Sequence, residues 1–241
     1  FLLIKNRKNE FHKTALKIAL SFGAVAAILQ PLSGDISAKD VAKRQPAKLA
    51  ALEAHYKTST HAGFVFGGIP NNKTEQVDYA IHVPGLLSYL AHGDFNAEVI
   101  GLDKFPKEER PPVVITHVAF QIMILSGCLL ALAGLLFIIF STRWKNILSK
   151  KWWLVFIAWL TPLGFIAVEA GWTVTETGRQ PWIIYGVMKT KDAVSTMPGL
   201  QYSFYSIMAV YVLLTIIIIW LMRKHIARLQ TDYPSAKIKT E

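Results

Sequence analysis

The sequence has almost no cysteine and few charged side chains, and both shortages limit its class. Cys128 is the single cysteine among 241 residues, so no disulfide framework can hold the fold together. Only 17% of the residues are charged, whereas 52% are hydrophobic. Because soluble globular domains carry more charge than this, the composition indicates an integral membrane protein.

Two further classes of protein are disfavoured. The seven histidines form no metal-type cluster, so zinc and copper sites are not expected. The formal net charge of +10 is compatible with a nucleic-acid partner, but the basic residues lie at the ends of apolar runs. That distribution is typical of membrane topology, and we expect no nucleic-acid partner.

Four apolar segments approach or exceed the roughly 20 residues that cross the hydrocarbon core of a bilayer. They are Thr14–Pro31, Val113–Phe140, Lys151 or Trp152 to Val174, and Gln201–Met222. The sequence therefore predicts an all-α, polytopic membrane helix bundle with four transmembrane helices and a long, partly helical outer loop.

The apolar segments divide the chain into six parts. The predicted parts are a basic lead with the first span (1–31), an outer loop (32–110), the second span (111–141), a cytoplasmic loop with the third span (142–175), an outer loop (176–200), and the fourth span with a cytoplasmic tail (201–241). Segments 1–13, 141–152 and 223–241 carry thirteen Lys and Arg residues against three acids. The positive-inside rule places these segments in the cytoplasm and the long loop on the outer face.

The first outer loop is far longer than an ordinary connection, which favours a folded, functional segment over a linker. Pro46–Tyr56 has the pattern of an amphipathic helix, with Pro46 at a helix-start position. Asp78–His92 is predicted as a second short helix, followed by turn-rich coil.

A charged cluster closes the third span. If the helix continues far enough, a spacing of 100° per residue places four side chains on one face: Glu169, Trp172, Glu176 and Arg179. Gly178 and Pro181 are expected to end that helix. Acids near membrane depth are costly unless they face a protein interior or a cofactor. Two readings have equal weight here: an ion-paired structural tether, or a carboxylate that binds a metal or accepts a proton.

Other candidates are ambiguous on pattern alone. Met123 lies within an apolar helix, where methionine usually serves only to pack the core. In other proteins the methionine thioether is also an axial ligand of haem iron. His117 and Gln121 share a helix face and could bind a metal, but hydrogen bonds to a neighbouring helix are favoured. Lys48 and Glu53 fit the solvated rim of a surface helix better than a site that accepts protons from a substrate.

Several motifs together resemble one family. They are E-A-G-W-T-V-T-E-T-G-R-Q-P-W at Glu169–Trp182, Q-P-A-K-L-A-A-L-E at Gln45–Glu53, Y-A-I-H-V-P-G-L-L-S-Y-L-A-H-G-D at Tyr79–Asp94, F-P-K-E-E-R-P-P at Phe105–Pro112, and H-V-A-F-Q-I-M at His117–Met123. In this order they resemble subunit I of the cytochrome bd quinol oxidases, in the form with a short quinol-binding loop. The resemblance extends over essentially the whole chain. It implies a respiratory terminal oxidase that oxidises quinol, reduces oxygen to water and contributes to the proton motive force.

The resemblance also implies a role for particular residues. Met123 resembles an axial ligand of the low-spin haem b iron, and Glu176 resembles the ligand of the high-spin haem b iron. The residues that resemble the surroundings of the haem pair are Trp172, Arg179 and Trp182. Those that resemble the quinol site are Lys48, Glu53 and Asp35, with Glu53 as the proton acceptor. Glu176, Arg179 and Glu53 are therefore the expected catalytic residues, and His82 stands where many relatives have Glu.

The family subunit has about nine spans, whereas this chain has four predicted ones. The resemblance implies histidine ligands of the low-spin haem b and of haem d on other helices of the family subunit. Neither His12 nor His225 is placed to replace them, because His12 precedes the first span and His225 follows the last. The resemblance implies a C-terminal half that works with an N-terminal half, on the same or a separate chain. It further implies subunit II, small single-span subunits, lipid, a third haem (haem d or a substitute), and a bacterial or archaeal cell membrane. The alternatives are a proton- or solute-translocating protein without haem, and a non-catalytic split subunit.

Overall fold

The structure is a computed structural model that describes residues 2–5, 7, 9–143 and 146–232. Its α-helices are α1 Leu2–Lys5, α2 Glu10–Arg44, α3 Pro46–Leu52, α4 Leu86–His92, α5 Val113–Arg143, α6 Lys151–Leu160, α7 Leu163–Thr177 and α8 Leu200–Asp232. The strands are β1 Ser59–Thr60, β2 Phe64–Phe66, β3 Ile69–Asn71, β4 Gln76–Asp78, β5 Ile81–Val83, β6 Glu98–Val99, β7 Trp182–Ile184 and β8 Met188–Lys189. Short 3-10 turns occupy 102–104, 107–109, 147–149 and 190–193.

Four helical segments are long and apolar enough to cross a membrane: Glu10–Arg44, Val113–Arg143, Lys151–Thr177 and Leu200–Arg228. This finding confirms the prediction of a mostly helical, polytopic membrane protein. The fourth segment, α8, belongs to a separate compact unit that begins at Val194. That unit consists mainly of one helix with apolar side chains on every side.

The first helix is longer than predicted, because α2 passes through Pro31 and ends only at Arg44. A proline inside a helix removes one hydrogen bond but need not stop the chain. Beyond it, Asp35 pairs with Lys39 at 2.6 Å and Asp40 pairs with Arg44 at 2.7 Å. Such i,i+4 pairs stabilise a polar helix. The helix ends because the next residue precedes a proline, which disfavours helical dihedral angles.

The third span is interrupted. Lys151–Thr177 forms the predicted third membrane segment, with a turn at Thr161–Pro162 where α6 ends and α7 begins. Proline has no N–H group and its ring crowds the preceding turn, which explains the break. At the other end α7 stops at Thr177, and Gly178 caps it as predicted.

The long loop (residues 45–112) is folded, but it contains strands that the sequence reading did not predict. Residues predicted as a helix at Asp78–His92 form strand β5, paired antiparallel with β2 so that Val65 lies opposite His82. Only Leu86–His92 is helical. The predicted coil contains β6, which pairs with β1. Two-residue and three-residue ribbons are too short to show a clear alternating pattern, which explains the miss.

Helix α5 joins the loop to the membrane spans. A loop cluster of buried side chains that includes Phe64, Leu87 and Val99 packs against Phe120 and Ile124 of α5. Further along, a Cβ on Gly134 of α5 would lie 3.0 Å from a backbone atom of α2, so the two helices approach closely there. Along its other flank α5 packs extensively against α7.

Candidate functional site

Helix α3 places Lys48 and Glu53 at the junction between the loop and the spans. Pro46 starts this helix, where its missing N–H costs nothing. Small and apolar side chains then bury the helix, among them Ala47, Leu49, Ala50, Ala51 and Leu52. Glu53 caps the C-terminal end. The predicted helix to Tyr56 is too long, because Ala54 adopts a left-handed φ of 47° that ends the helical turn.

Glu53 is a buried acid, contrary to the pattern-based expectation of a solvated rim. It is 2% exposed, and its Oε2 atom has no hydrogen-bond partner within the described part of the chain. Burial raises the pKa of Glu53 to about 8, although a backbone hydrogen bond from Val65 acts in the opposite direction. A carboxyl group with such a pKa changes its charge near neutral pH.

Lys48 lies against the G-R-Q-P-W motif. Its Cγ and Cε atoms are each 3.2 Å from the position that a Cβ on Gly178 would take. The same hypothetical Cβ would lie 2.6 Å from the carbonyl oxygen of Val174, so this glycine has no room for a side chain. Burial lowers the pKa of Lys48, Arg179 lowers it further, and Glu176 opposes both effects. The loop lysine and the charged end of α7 therefore share one electrostatic environment.

The structure does not group every predicted quinol residue with Glu53. Asp35 lies on α2 and forms an ion pair with Lys39 of the same helix. His82 lies on β5 with an exposed side chain, opposite Val65 in the ribbon. The roles of these two residues in quinol binding stay predictions.

The charged face of α7 is exposed in this chain. Trp172 is 64% exposed, and Glu169 and Glu176 are also exposed. Arg179 follows the end of the helix, so the condition for all four residues to share one helical face is not met. No ion pair joins Glu176 to Arg179 in residues 2–5, 7, 9–143 and 146–232.

Trp182 is fixed by a small hairpin. It begins β7, which pairs with β8 so that Trp182 lies opposite Lys189. The Lys189 ammonium group is 4.8 Å from the centre of the indole ring and 2.8 Å from a carboxylate oxygen of Glu109. These contacts connect the hairpin to the end of the long loop.

Met123 of α5 faces α7. Its sulfur atom would be 3.1 Å from a Cβ on Gly171, so the absence of a side chain there makes room for the thioether. Met123 is partly exposed. The sequence reading did not identify Gly171 as its neighbour, because a pairing between two helices leaves no signal in local spacing.

His117 bonds to the last residue of a neighbouring helix, α3, as expected, whereas Gln121 bonds to backbone outside any helix. The Nδ1 atom of fully buried His117 is 2.7 Å from the carbonyl oxygen of Leu52. Gln121 donates to the carbonyl oxygen of Val65 at 2.7 Å and accepts from the N–H of Gly67 at 3.1 Å. Both side chains therefore bind backbone of the long loop. The described residues contain no group of three or more His, Cys, Asp or Glu able to hold a metal ion.

These features define a polytopic membrane protein in which a loop buries a carboxyl group against one span while another span exposes acidic and aromatic side chains. The family profile described as cytochrome bd terminal oxidase subunit I matches residues 1–230. The chain belongs to the cytochrome bd terminal oxidase subunit I family, as the motifs predicted.

Named relatives and a solved structure agree with this family. The putative cytochrome bd menaquinol oxidase subunit I of Bacillus subtilis (strain 168) is 35% identical over 93% of this chain and 52% of its own length. The cytochrome bd ubiquinol oxidase subunit 1 of the same organism is 32% identical over 95% of this chain and 51% of its own length. The solved bd oxidase from Geobacillus thermodenitrificans matches with a TM-score of 0.81 at 34% identity, over 94% of this chain and 52% of that one. The chain thus spans about half the length of the relatives it matches.

Proposed function

We propose that this chain forms the C-terminal half of the large subunit of a quinol:oxygen oxidoreductase. The oxidase would oxidise quinol, reduce oxygen to water and contribute to the proton motive force. The observation that supports this most strongly is Glu53, a buried carboxyl group whose Oε2 atom has no partner among the described residues, at the end of the loop helix that also carries Lys48. The names of the relatives as menaquinol and ubiquinol oxidase subunits supply the substrate class.

Glu53 is suited to accept a proton. Oxidation of a quinol hydroxyl group releases a proton, and the ionised carboxylate takes it most efficiently when its pKa lies near the working pH. Burial raises the pKa of Glu53 to about 8, which meets that condition. The buried Oε2 atom has no hydrogen-bond partner among the described residues, so its capacity to accept a hydrogen bond is unused within the chain.

Lys48 would complete the quinol site on its charged side. Arg179 and Glu176 both affect the pKa of Lys48, so its ammonium group interacts electrostatically with these two side chains. A positive charge at this place stabilises negative charge that develops on a quinol oxygen as its proton leaves. Asp35 would contribute only from the extension of α2, where it is paired with Lys39.

The donor atoms of the chain fit haem ligation. A soft thioether suits a low-spin electron-transfer iron and a hard carboxylate suits a high-spin iron, so Met123 would hold low-spin haem b and Glu176 high-spin haem b. The partial exposure of Met123 and the exposure of Glu176 leave both donors accessible. Bound haem, including a third haem that is haem d or a substitute, supplies one-electron transfer and the reduction of oxygen. Trp172 and Trp182 would border the haem pair, and Arg179 would neutralise a carboxylate there.

The assembly would include protein beyond this chain. An N-terminal half, on the same or another polypeptide, and subunit II are the proposed partners, with small single-span subunits and lipid around them. The spans would lie in a bacterial or archaeal cell membrane, with the long loop on the outer face and both ends in the cytoplasm. Thirteen basic residues in the segments assigned to the cytoplasm support that orientation.

The test of this proposal is Glu53→Gln in the intact oxidase in membranes. We expect the rate of quinol oxidation to fall by about 100-fold, the lower range of general-base catalysis, while the haem spectrum stays unchanged. Glu98→Gln is the matched control, because Glu98 is an exposed acid on β6 of the same loop. Wild-type quinol oxidation by the Glu53 variant would contradict the proposal.

A further inference from the structure

Helix α5 holds the long loop through two polar side chains one helical turn apart, the buried His117 and the partly buried Gln121. His117 is fully buried, and its Nδ1 atom lies 2.7 Å from the carbonyl oxygen of Leu52. Because a carbonyl oxygen only accepts, the ring must donate, and this shortest contact assigns the N–H to Nδ1. The other ring nitrogen lies 3.3 Å from the carbonyl oxygen of Gly67.

Gln121 uses both ends of its amide. Its nitrogen donates to the carbonyl oxygen of Val65 at 2.7 Å, and its oxygen accepts from the N–H of Gly67 at 3.1 Å. Gly67 has a left-handed φ of 68°, which a glycine adopts without strain. We call His117 and Gln121 the α5 clamp.

The two residues of the α5 clamp bind backbone that lies next to Glu53 in the sequence and in the fold. Leu52, which His117 binds, is the residue immediately before Glu53. Val65, which Gln121 binds, is also the residue whose backbone hydrogen bond reaches the Glu53 carboxyl group. The two backbone segments that fix Glu53 are therefore both fixed by α5.

We propose that His117 and Gln121 are positioning residues for quinol oxidation, which keep the loop in the one arrangement that places Glu53 for the substrate. This inference rests on the proposed function of Glu53. Met123 is two residues beyond Gln121, about 200° around the helix, and faces Gly171 of α7. One helix thus positions the proton acceptor on one side and presents the proposed haem ligand on the other.

Loosening the clamp has a specific kinetic consequence. If the loop is ordered only part of the time, quinol must select the ordered fraction, and the apparent affinity falls by that fraction. Saturating quinol restores the ordered loop. A positioning role therefore raises KM and leaves kcat close to wild type, whereas a general loss of assembled protein lowers the maximal rate without changing KM.

The test measures quinol KM and kcat for Gln121→Leu in the intact oxidase in membranes. Two hydrogen bonds are lost, and we expect KM to rise about tenfold, with kcat within about twofold and an unchanged haem spectrum. Ser88→Ala is the matched control. Ser88 is fully buried and, like Gln121, makes two hydrogen bonds to loop backbone, from Ala62 and to Ala97 at 2.8 and 2.7 Å. Its KM should stay within about twofold of wild type.

Two more conservative variants test the same contacts in case Gln121→Leu does not fold. Gln121→Glu keeps the acceptor for the N–H of Gly67 and loses the donor to the carbonyl oxygen of Val65. We therefore expect its quinol KM to rise above the wild-type value. His117→Asn keeps an N–H donor near the Nδ1 position and should restore most of the affinity that His117→Leu loses. A wild-type KM in Gln121→Leu and Gln121→Glu, or an equal rise in Ser88→Ala, would overturn the inference.

The outcome separates this inference from the proposed function. If Glu53→Gln impairs quinol oxidation while both Gln121 variants keep the wild-type KM, the α5 clamp is refuted and the quinol site stands. If Glu53→Gln oxidises quinol normally, the proposed quinol site itself is refuted and the clamp has no catalytic group to position.

Discussion

Two carboxyl groups of this chain lie in opposite environments. Glu53 is 2% exposed in the folded long loop. Glu176 lies on an exposed face of α7 beside Trp172, and no ion pair within the described ranges joins it to Arg179. The residues that would bind quinol are therefore organised within the chain, whereas those that would bind haem are presented at its surface.

The proposed oxidase would therefore have its quinol-binding residues in the long loop and its haem-binding residues on an exposed helix face. Acidic side chains at membrane depth persist where protein or a cofactor covers them. The chain spans about half the length of its relatives, and in the proposed assembly the exposed α7 face would contact the further protein and the haem groups. Substitutions in the long loop should then change the kinetics of quinol oxidation, and substitutions on α7 should change the haem spectrum.

The largest expected effect is that of Glu176→Ala. Loss of the proposed iron ligand should abolish the high-spin haem b signal and oxygen consumption, because alanine offers no donor atom. An optical spectrum of the purified oxidase measures this. Val168→Ala, at an exposed apolar position on the same helix, should leave the spectrum intact. Unaltered spectra in Glu176→Ala, or an intact oxidase without haem bands, would favour a haem-free translocating protein instead.

A smaller effect is expected for Lys48→Met, which keeps the apolar stem and removes the charge. Quinol KM should rise about tenfold, the cost of roughly one charge-assisted hydrogen bond, while the haem spectrum changes little. Steady-state kinetics over a range of quinol concentrations measure it. Lys57→Met, at an exposed lysine of the same loop, should behave as wild type. An equal effect of the two substitutions would show that only net charge matters.

The smallest effect is expected for Gly171→Ala, which crosses the boundary between the two regions. The added methyl group would lie 3.1 Å from the Met123 sulfur atom and would push the thioether by a few tenths of an ångström. Because a methionine ligand raises the potential of a haem iron, we expect a decrease on the order of tens of millivolts for low-spin haem b. A spectroscopic redox titration measures it.

Gly164→Ala is the control for that substitution. It lies on the same helix with open space around its hypothetical Cβ, and both changes raise helix propensity by about 1 kcal/mol. Equal potentials in the two variants would refute the contact between Gly171 and the proposed ligand.

Apolar runs predicted the membrane spans well, because roughly 20 consecutive apolar residues have few alternatives. The breaks and ends were harder. The apolar pattern predicts that the first span ends at Pro31, but Pro31 lies within α2. The same pattern runs past Pro162, where α6 ends and α7 begins. The same residue type has both outcomes, because the surrounding helix decides whether one lost hydrogen bond is tolerated.

The candidate site could also be predicted only in part from the sequence. The motifs indicated Lys48 and Glu53, but the amphipathic pattern favoured solvated side chains and Glu53 is buried. The backbone hydrogen bond to its carboxyl group comes from Val65, which is distant in sequence and lies in the short strand β2. His117 and Gln121 were recognised as a polar pair on an apolar helix, yet their partners in the loop leave no trace in helical spacing. Local patterns predict elements, and contacts across the fold determine the site.

The most direct measurement of the central claim is the pH dependence of kcat/KM for quinol oxidation. Only the ionised Glu53 carboxylate accepts a proton, and burial raises the pKa of Glu53 to about 8. The rate should therefore rise with pH and level off above about pH 8, and this rise should disappear in Glu53→Gln but persist in Glu98→Gln. A rise of the same shape in Glu53→Gln, or a wild-type rate that falls over this range, would contradict the account.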